Sequence, residues 1–393
     1  MIAAALFLTA LVQGPQVVEV IDPEAQEVSI QAIIPTPGLT NRDFTTATTL
    51  VDALPREVEG YSRRDVLSVT GGMPLRAELG PDHIRVSMIV PAENWRSGLS
   101  LLETLVRRPR YTAESLQSAN DSLARRAPDY WTLAIRPRER EKRQTTLRDL
   151  NELHERLFRP DTIVLGIGGR LSPGQAAEEW HKRTESWRPA RTLPPLADGP
   201  ESLVTAGEQG VDTIELGGAP FGARDAALPT RILAAFALGA GKASSVFRVA
   251  RQKLGWSYRQ EAILYPVPSG WQPRVLVTMR SVGDAATRAE TLRSALLEDV
   301  RGWSEAERRR ALGMAEGVLL RDVDFDPLYV TASGPAGHQL EGRTFLNTYW
   351  RFKTGEAWNA SALLDRMRSV TLADLKEAAQ QGLATGTIRI LKG

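Results

Sequence analysis

The 393-residue chain contains no cysteine, which excludes disulfides, thiolate metal sites and a cysteine nucleophile. Histidine is scarce as well: His83, His154, His181 and His338 are the only four. A transition metal would have to be held by imidazole and carboxylate, and no two of these histidines stand three or four residues apart, the spacing by which one helix presents two nitrogen ligands. Lysine is rare too, seven of the 49 basic residues, so arginine carries most of the positive charge. Against 47 acidic residues the net charge is only +2, and no global field points to nucleic acid or to an anionic membrane. No run approaches the roughly 18 uninterrupted apolar residues of a spanning helix, so no membrane insertion is expected.

What the chain does have is length enough for two cores, because single cores stop growing at roughly 250 to 300 residues. Residues 2–12 form an apolar run closed by Gln13, Gly14 and Pro15. Residues 1–14 thus read as a secretory signal peptide and the protein as periplasmic or secreted, although the first arginine is Arg42, which leaves a buried first strand and a cytoplasmic location open. Residues 188–208 hold Pro189, Pro194, Pro195 and Pro200 with few apolar side chains, and read as a linker between an N-terminal domain, 15–187, and a C-terminal domain, 209–393. Thr146-Leu147-x-Asp149-Leu150-x-Glu152 returns as Thr371-Leu372-x-Asp374-Leu375-x-Glu377, and Thr162-Ile163 returns as Thr387-Ile388 at the same offset. A helix start followed by a matching strand in the same register indicates duplication. The expected class is α+β, two copies of an antiparallel sheet packed by helices.

Strands are expected at 17–20 and 28–34, joined by a turn at Asp22, Pro23 and Glu24, and a hairpin at 75–79 and 83–90 around Gly80, Pro81 and Asp82. Helical periodicity covers 44–54, 95–106, 112–126, 146–158 and 173–187. In the first of these, Thr45, Thr46, Thr48 and Thr49 weaken the helical preference. The acidic alternation Asp322, Asp324, Asp326 is not a calcium loop, since Pro327 stands where that loop needs glycine and Ser333 where it needs its bidentate glutamate. Nor do Ser333 and Gly334 make a nucleophile elbow, because Thr331 takes the first glycine position. His154 with Glu155 is half of a metal site at most.

The densest patterning is at residues 238–258, LGAGKASSVFRVARQKLGWSY. Gly239 and Gly241 permit a tight loop with positive φ, and Ser244 or Ser245 can accept from the first free helical N–H groups. Val246, Phe247, Ala250 and Leu254 then share one face of a helix, with Arg248 and Gln252 opposite. Gly255 has the position of a left-handed cap, and Trp256, Ser257 and Tyr258 begin a strand. Arg251, near the helix end, and Tyr258, across the turn, are candidates to meet an extended polar ligand; spacing alone favours the plainer reading, an arginine that snorkels and favours the helix C-terminus.

This stretch resembles the second-domain signature of the insulinase or pitrilysin family of zinc metallopeptidases, and most closely its two-domain branch, which includes mitochondrial processing peptidase. Leu238, Gly239, Gly241, Ser244, Phe247, Arg251, Lys253, Gly255 and Tyr258 match it, and Ala240, Lys242, Ser245, Val246 and Gln252 depart from it. Residues 92–109 and 150–169 also resemble the family. The family's His-x-x-Glu-His metal helix is expected at 44–54, where Thr48, Val51 and Asp52 occupy the three positions. Threonine, valine and aspartate offer zinc no nitrogen ligand and water no base. The resemblance therefore implies a chain with no catalytic residue and no metal of its own. It implies a heterodimer in which a partner of the same family carries the zinc and this chain binds the peptide substrate: Arg251 and Tyr258 would hold the peptide backbone, beside the loop of Gly239, Gly241 and Ser244. Two alternatives are a structural core subunit of the same fold and a peptide-binding protein without a proteolytic partner.

Overall fold

The computed structural model describes residues 16–37, 39, 41–125, 144–188, 211–281, 284–320, 339–384 and 387–391. The apolar run at 2–12, most of the expected linker, the acidic alternation at 322–326, Ser333 and His338 lie outside the described residues. Two compact units result, each with its own sheet.

The first unit contains β1 (Gln16–Ile21), β2 (Glu27–Pro35), α1 (Asn41–Ala53), α2 (Arg63–Thr70), β3 (Arg76–Leu79), β4 (His83–Pro91), α3 (Trp95–Arg107), α4 (Ala113–Arg125), α5 (Leu147–Leu157), β5 (Val164–Gly169) and α6 (Gln175–Thr184). Its sheet runs β1-β5-β2-β4-β3, antiparallel except where β1 lies parallel to β5. The expected β3-β4 hairpin forms. β1 and β2 are joined by a turn at Asp22, as expected, yet they are not neighbours. All six residues of β5, VLGIGG, are buried, and a strand so fully covered takes a partner on both edges, which here separates β1 from β2. On one face Ile30, Ala32 and Ile34 of β2 pack with Leu50 of α1 and Leu99 and Leu102 of α3. Helix α1 forms despite its threonines because the hydroxyls of Thr48 and Thr49 donate back to the carbonyls of Phe44 and Thr45, at 2.9 and 3.3 Å, instead of competing for other backbone groups.

The second unit contains β6 (Val211–Gly217), β7 (Phe221–Gly222), α7 (Leu228–Gly239), a π-helix (Phe247–Lys253), β8 (Ser257–Val267), β9 (Gly270–Arg280), α8 (Ala285–Arg301) and α9 (Glu305–Leu319). After α10 (Gln339–Thr354) it continues with α11 (Ala360–Arg368), α12 (Leu372–Ala384) and β10 (Thr387–Leu391). The sheet is wholly antiparallel: β10 pairs β6, β6 pairs β9, and β9 also pairs β7 and β8. The duplicated motif is realised atom for atom at its helix start. Thr146 and Thr371 each accept from the N–H three residues on at 3.2 Å, and Asp149 and Asp374 reach back to the threonine N–H at 2.9 and 3.3 Å. The strand after each helix pairs antiparallel with the first long strand of its unit, β5 with β2 and β10 with β6.

One helix breaks the expected continuity of 209–393. Helix α10 belongs to the first unit and lies on the face of its sheet opposite α1 and α3. The sheet is shaped for it. A Cβ at Gly166 would lie 1.9 Å from Thr348 Oγ1, and one at Gly168 2.0 Å from Thr344 Oγ1, so glycine alone lets the helix approach. Polar contacts hold both ends. Near the N-terminus Arg85 Nη2 meets Glu341 Oε1 at 2.6 Å while its Nε donates to Gln31 Oε1 at 3.1 Å. At the C-terminus Lys353 Nζ meets Asp82 Oδ2 at 2.6 Å, Tyr349 donates its hydroxyl hydrogen to the same carboxylate, and His83 Nδ1 is 2.9 Å from Oδ1. Asp82, His83 and Lys353 are all buried. Among the described residues no helix is long and apolar enough to cross a membrane.

Candidate functional site

Helix α1 places Thr48, Val51 and Asp52 where a metal helix would carry its ligands and base. The Thr48 hydroxyl is already committed to the Phe44 carbonyl, and Val51 is buried in the core of the first unit. Asp52 is paired with Arg56 at 2.6 Å and accepts from Ser122 at 3.4 Å. These side chains do not fit zinc: one is apolar, one hydroxyl is spent, and the carboxylate has its own cation. Among the described residues no group of three metal-ligating side chains occurs.

His154, a candidate half-site by sequence, is a core residue. Its Nε2 donates to the Val106 carbonyl at 3.0 Å, its Nδ1 is 2.8 Å from the Tyr111 hydroxyl, and its ring stacks on Phe158 at 3.8 Å. Burial pulls its pKa down to about 3, so the imidazole is neutral with both nitrogens engaged. His181 is exposed and donates to the Ala177 carbonyl one turn back.

The signature stretch builds one end of the second unit. Helix α7 ends at Gly239, whose backbone is not in the left-handed region expected of it. Its glycine is required by contact: a Cβ there would lie 2.6 Å from Ala262 N and 2.9 Å from Ala262 O, backbone atoms of β8 that cannot move aside. Gly241 does carry positive φ, +77°, as expected. Ser244 accepts from Phe247 N at 3.4 Å, the expected capping role. Ser245 is buried and accepts instead from Trp303 Nε1 at 2.9 Å. Arg310 donates to the carbonyls of Ala237 and Ala240, at 2.7 and 2.9 Å, closing the end of α7. Arg248, expected on the open face, forks onto Asp299 at 2.8 and 3.3 Å. The loop is thus clamped from behind by α8 and α9, support that no local spacing announced.

The helix that follows is not α but π, with Leu254 N donating to Val249 O at 2.9 Å, five residues back, and Trp256 N to Ala250 O at 2.9 Å. Its wider turn buries Val249 beside Ala250, where an α-helical wheel puts Phe247 and Leu254 on the covered face. π-turns recur at functional sites because they displace side chains from the α-helical spacing. Gly255, at φ +67°, reverses the chain, and β8 begins with an irregularity: Ser257 pairs Met279 and Arg259 pairs Thr278, leaving Tyr258 without a partner on β9. Ser257 Oγ fixes this bulge, lying 2.6 Å from both the Arg259 and Thr278 carbonyls and accepting from Arg259 N at 3.1 Å. Bulges of this kind recur at sheet edges and beside active sites. Half-buried Arg251 donates from Nη1 to the Ser257 carbonyl at 3.3 Å. The structure therefore brings Arg251 to the peptide unit that leads into Tyr258. Thr48, Val51 and Asp52 belong to the first unit and form no part of this cluster.

No protein-family model matches the chain, and no curated protein sequence matches it. Solved structures do match its fold. The peptidase M16 inactive domain of Pseudomonas fluorescens is 16% identical, with a TM-score of 0.70 over 96% of this chain and 95% of that one. A protease from Helicobacter pylori is 13% identical, with a TM-score of 0.75 over 97% of each chain. A predicted insulinase family protease from Yersinia pestis is 14% identical, with a TM-score of 0.60 over 96% of this chain and 90% of that one. At these identities what is shared is the insulinase-type fold along nearly the whole chain.

Proposed function

We propose that this chain is the non-catalytic, peptide-binding subunit of a two-chain zinc peptidase, with the metal on a partner of the same fold. The observation that carries the reading is the Arg251 end of the second unit. A π-helix, a left-handed glycine and a bulge converge on the peptide unit between Ser257 and Tyr258, while helix α1 lacks a ligand set. A scaffold would need none of that irregular backbone. The likeness to an inactive peptidase domain supports the same reading.

In this reading Arg251 gives charge-assisted hydrogen bonds to a carbonyl of an extended substrate, and Tyr258 donates to the same group or to the oxygen that gains charge as the bond is cut. Gly239, Gly241 and Ser244 shape the loop beside them. The zinc and the base that activates water belong to the partner, and no step of hydrolysis runs through Thr48, Val51 or Asp52. Export to the periplasm belongs to the same proposal and is checked by the N-terminal residue of the protein purified from its source.

The test is reconstitution with the metal-bearing subunit that co-purifies from the native source. Loss of one charge-assisted contact at the reacting group predicts a fall of 10- to 100-fold in kcat/KM, about 1.4 to 3 kcal/mol, for Arg251→Ala or Tyr258→Phe with assembly retained. Stable assembly with unchanged turnover in the double variant assigns the chain a structural role instead.

A further inference from the structure

Ser257, the first residue of β8, is 1% exposed and joins the irregular features of this end to one another. Its carbonyl accepts from Arg251 Nη1 at 3.3 Å. Its Oγ accepts from Arg259 N at 3.1 Å and lies 2.6 Å from the carbonyl of Thr278, the residue paired with Arg259 on β9. The same oxygen is 2.6 Å from the Arg259 carbonyl. A serine hydroxyl has one hydrogen to give and two lone pairs to accept with, so this one can link Arg259 N to Thr278 O across the bulge.

The bulge sets the register. As built, Ser257 stands opposite Met279 and Arg259 opposite Thr278, with Tyr258 the extra residue between them. Regular pairing continued back from Arg259 would put Tyr258 opposite Met279 and Ser257 opposite Arg280. Met279 is buried and Arg280 exposed, so a slip of one residue turns Ser257 to the opposite sheet face. It also carries the Ser257 peptide unit about 3.3 Å along the strand. That displacement is as long as the hydrogen bond from Arg251, 3.3 Å, and the guanidinium would lose this acceptor. The π-helix is not free to follow, because Trp256 N donates to Ala250 O and Leu254 N to Val249 O, both at 2.9 Å.

Resting on the peptide-binding role above, we propose that Ser257 is a positioning residue for peptide binding: its hydroxyl holds the bulge that keeps the Arg251 guanidinium on the peptide unit leading into Tyr258. Buried as it is, Ser257 touches no peptide itself. A merely structural contact acts on the whole unit, whereas a positioning contact acts only through the residues it positions.

The experiment measures, by fluorescence anisotropy, the binding of a fluorescein-labelled pool of random ten-residue peptides to the full chain, with Ser257→Ala made in the wild type and in Arg251→Ala/Tyr258→Phe. Hydrogen exchange and thermal unfolding are followed on the same proteins. Loss of the buried hydroxyl is expected to weaken binding about five- to tenfold in the wild-type background. Where Arg251 and Tyr258 no longer hold the peptide it should weaken binding by less than about twofold, the non-additivity of residues that act through one another. Exchange should quicken about tenfold at residues 257–259 and stay unchanged in the helices of the unit. Equal weakening in both backgrounds, or none in either while Arg251→Ala/Tyr258→Phe is itself impaired, overturns the positioning role and leaves the peptide-binding role standing. A pool that binds the wild type no better than Arg251→Ala/Tyr258→Phe overturns both, and quickened exchange at 257–259 then reduces Ser257 to a structural contact. Should Ser257→Ala not fold, the wild type still decides: an Arg259 amide that exchanges like an unprotected peptide overturns the bond to Ser257 Oγ, and protection comparable to that of the β9 amides supports it.

Discussion

Replacing Lys353 by methionine removes the cation from a buried carboxylate and leaves its surroundings nearly unchanged in volume. Asp82 and Lys353 lie 2.6 Å apart with side chains 1% and 3% exposed. Breaking a buried pair from one side costs about 3 to 5 kcal/mol, because the remaining charge is desolvated without compensation. The pH dependence gives the sharper test. Burial by itself raises the Asp82 pKa, but Lys353 and His83 outweigh it and hold the group down at about 2, against 3.8 for a free carboxyl. In the wild type, therefore, the carboxylate contributes about 2 kcal/mol that is fully present above pH 4 and is lost as pH falls through about 2. In Lys353→Met burial acts with less opposition and the folded-state pKa rises above that of the unfolded chain. Protonation then relieves the variant, so its deficit is greatest at neutral pH and narrows as pH falls below the raised pKa. At about 2 to 4 °C per kcal/mol for a unit of this size, the first unit should melt about 6 to 20 °C lower at pH 7.5, with the gap shrinking toward pH 4. Calorimetry with hydrogen exchange on α10 reads this locally, and Asp82→Asn/Lys353→Met should recover part of the loss. An equal deficit at both pH values, or none, would show that the pair is not desolvated.

Other expectations follow from the same contacts. Gly166→Ala and Gly168→Ala place a Cβ about 2 Å from threonine hydroxyls of α10, an overpacking that costs 1 to 3 kcal/mol or more; Thr348→Ala should suppress the first and Thr344→Ala the second in urea titrations, and an unsuppressed defect would mean that the helix does not rest there. His154, with its pKa drawn down to about 3 by burial, is neutral when folded and takes up a proton more readily when unfolded. Its contribution is complete above about pH 6.5 and declines by up to about 1.4 kcal/mol per pH unit below it; imidazole nitrogen shifts that titrate near 6.5 in the native protein would contradict this. Gly239→Ala drives a Cβ into the backbone of Ala262, so it should lower stability by more than 1 kcal/mol and weaken peptide binding along with it, measured by thermal unfolding and anisotropy together.

Local chemistry carried much of this fold into the sequence. The capping boxes at Thr146 and Thr371, the hairpin at Gly80, the apolar stripes of α1 and α3 and the left-handed positions at Gly241 and Gly255 each depend on residues within one turn of one another. What the sequence did not disclose depends on distant partners. Nothing near Gln339–Thr354 announces that its threonines meet glycines of a strand formed by residues 164–169, although the glycine-rich VLGIGG, hydrophobic yet without bulk on one face, was the trace of a helix to come. The π-turn is equally silent. Phe247, Ala250 and Leu254 satisfy an α-helical wheel, and nothing in their spacing distinguishes it from the wider ring that forms. Around Arg251 the local pattern of glycines and serines was legible, and the π-turn and the bulge of the backbone were not.

The same distinction between local and distant contacts bears on helix α1. Val51 is in the core, Thr48 gives its hydroxyl to its own helix, and Asp52 is tied to Arg56 and Ser122. Each of these contacts sets the position against a zinc ligand set, since a glutamate at 51 would be buried and a histidine at 52 would strand Arg56. The second unit shows the reverse tendency. A seven-residue π-helix and a bulge both depart from regular hydrogen bonding. Close packing at α1 and irregular backbone beside Arg251 are the contrast that the proposed peptide-binding role predicts.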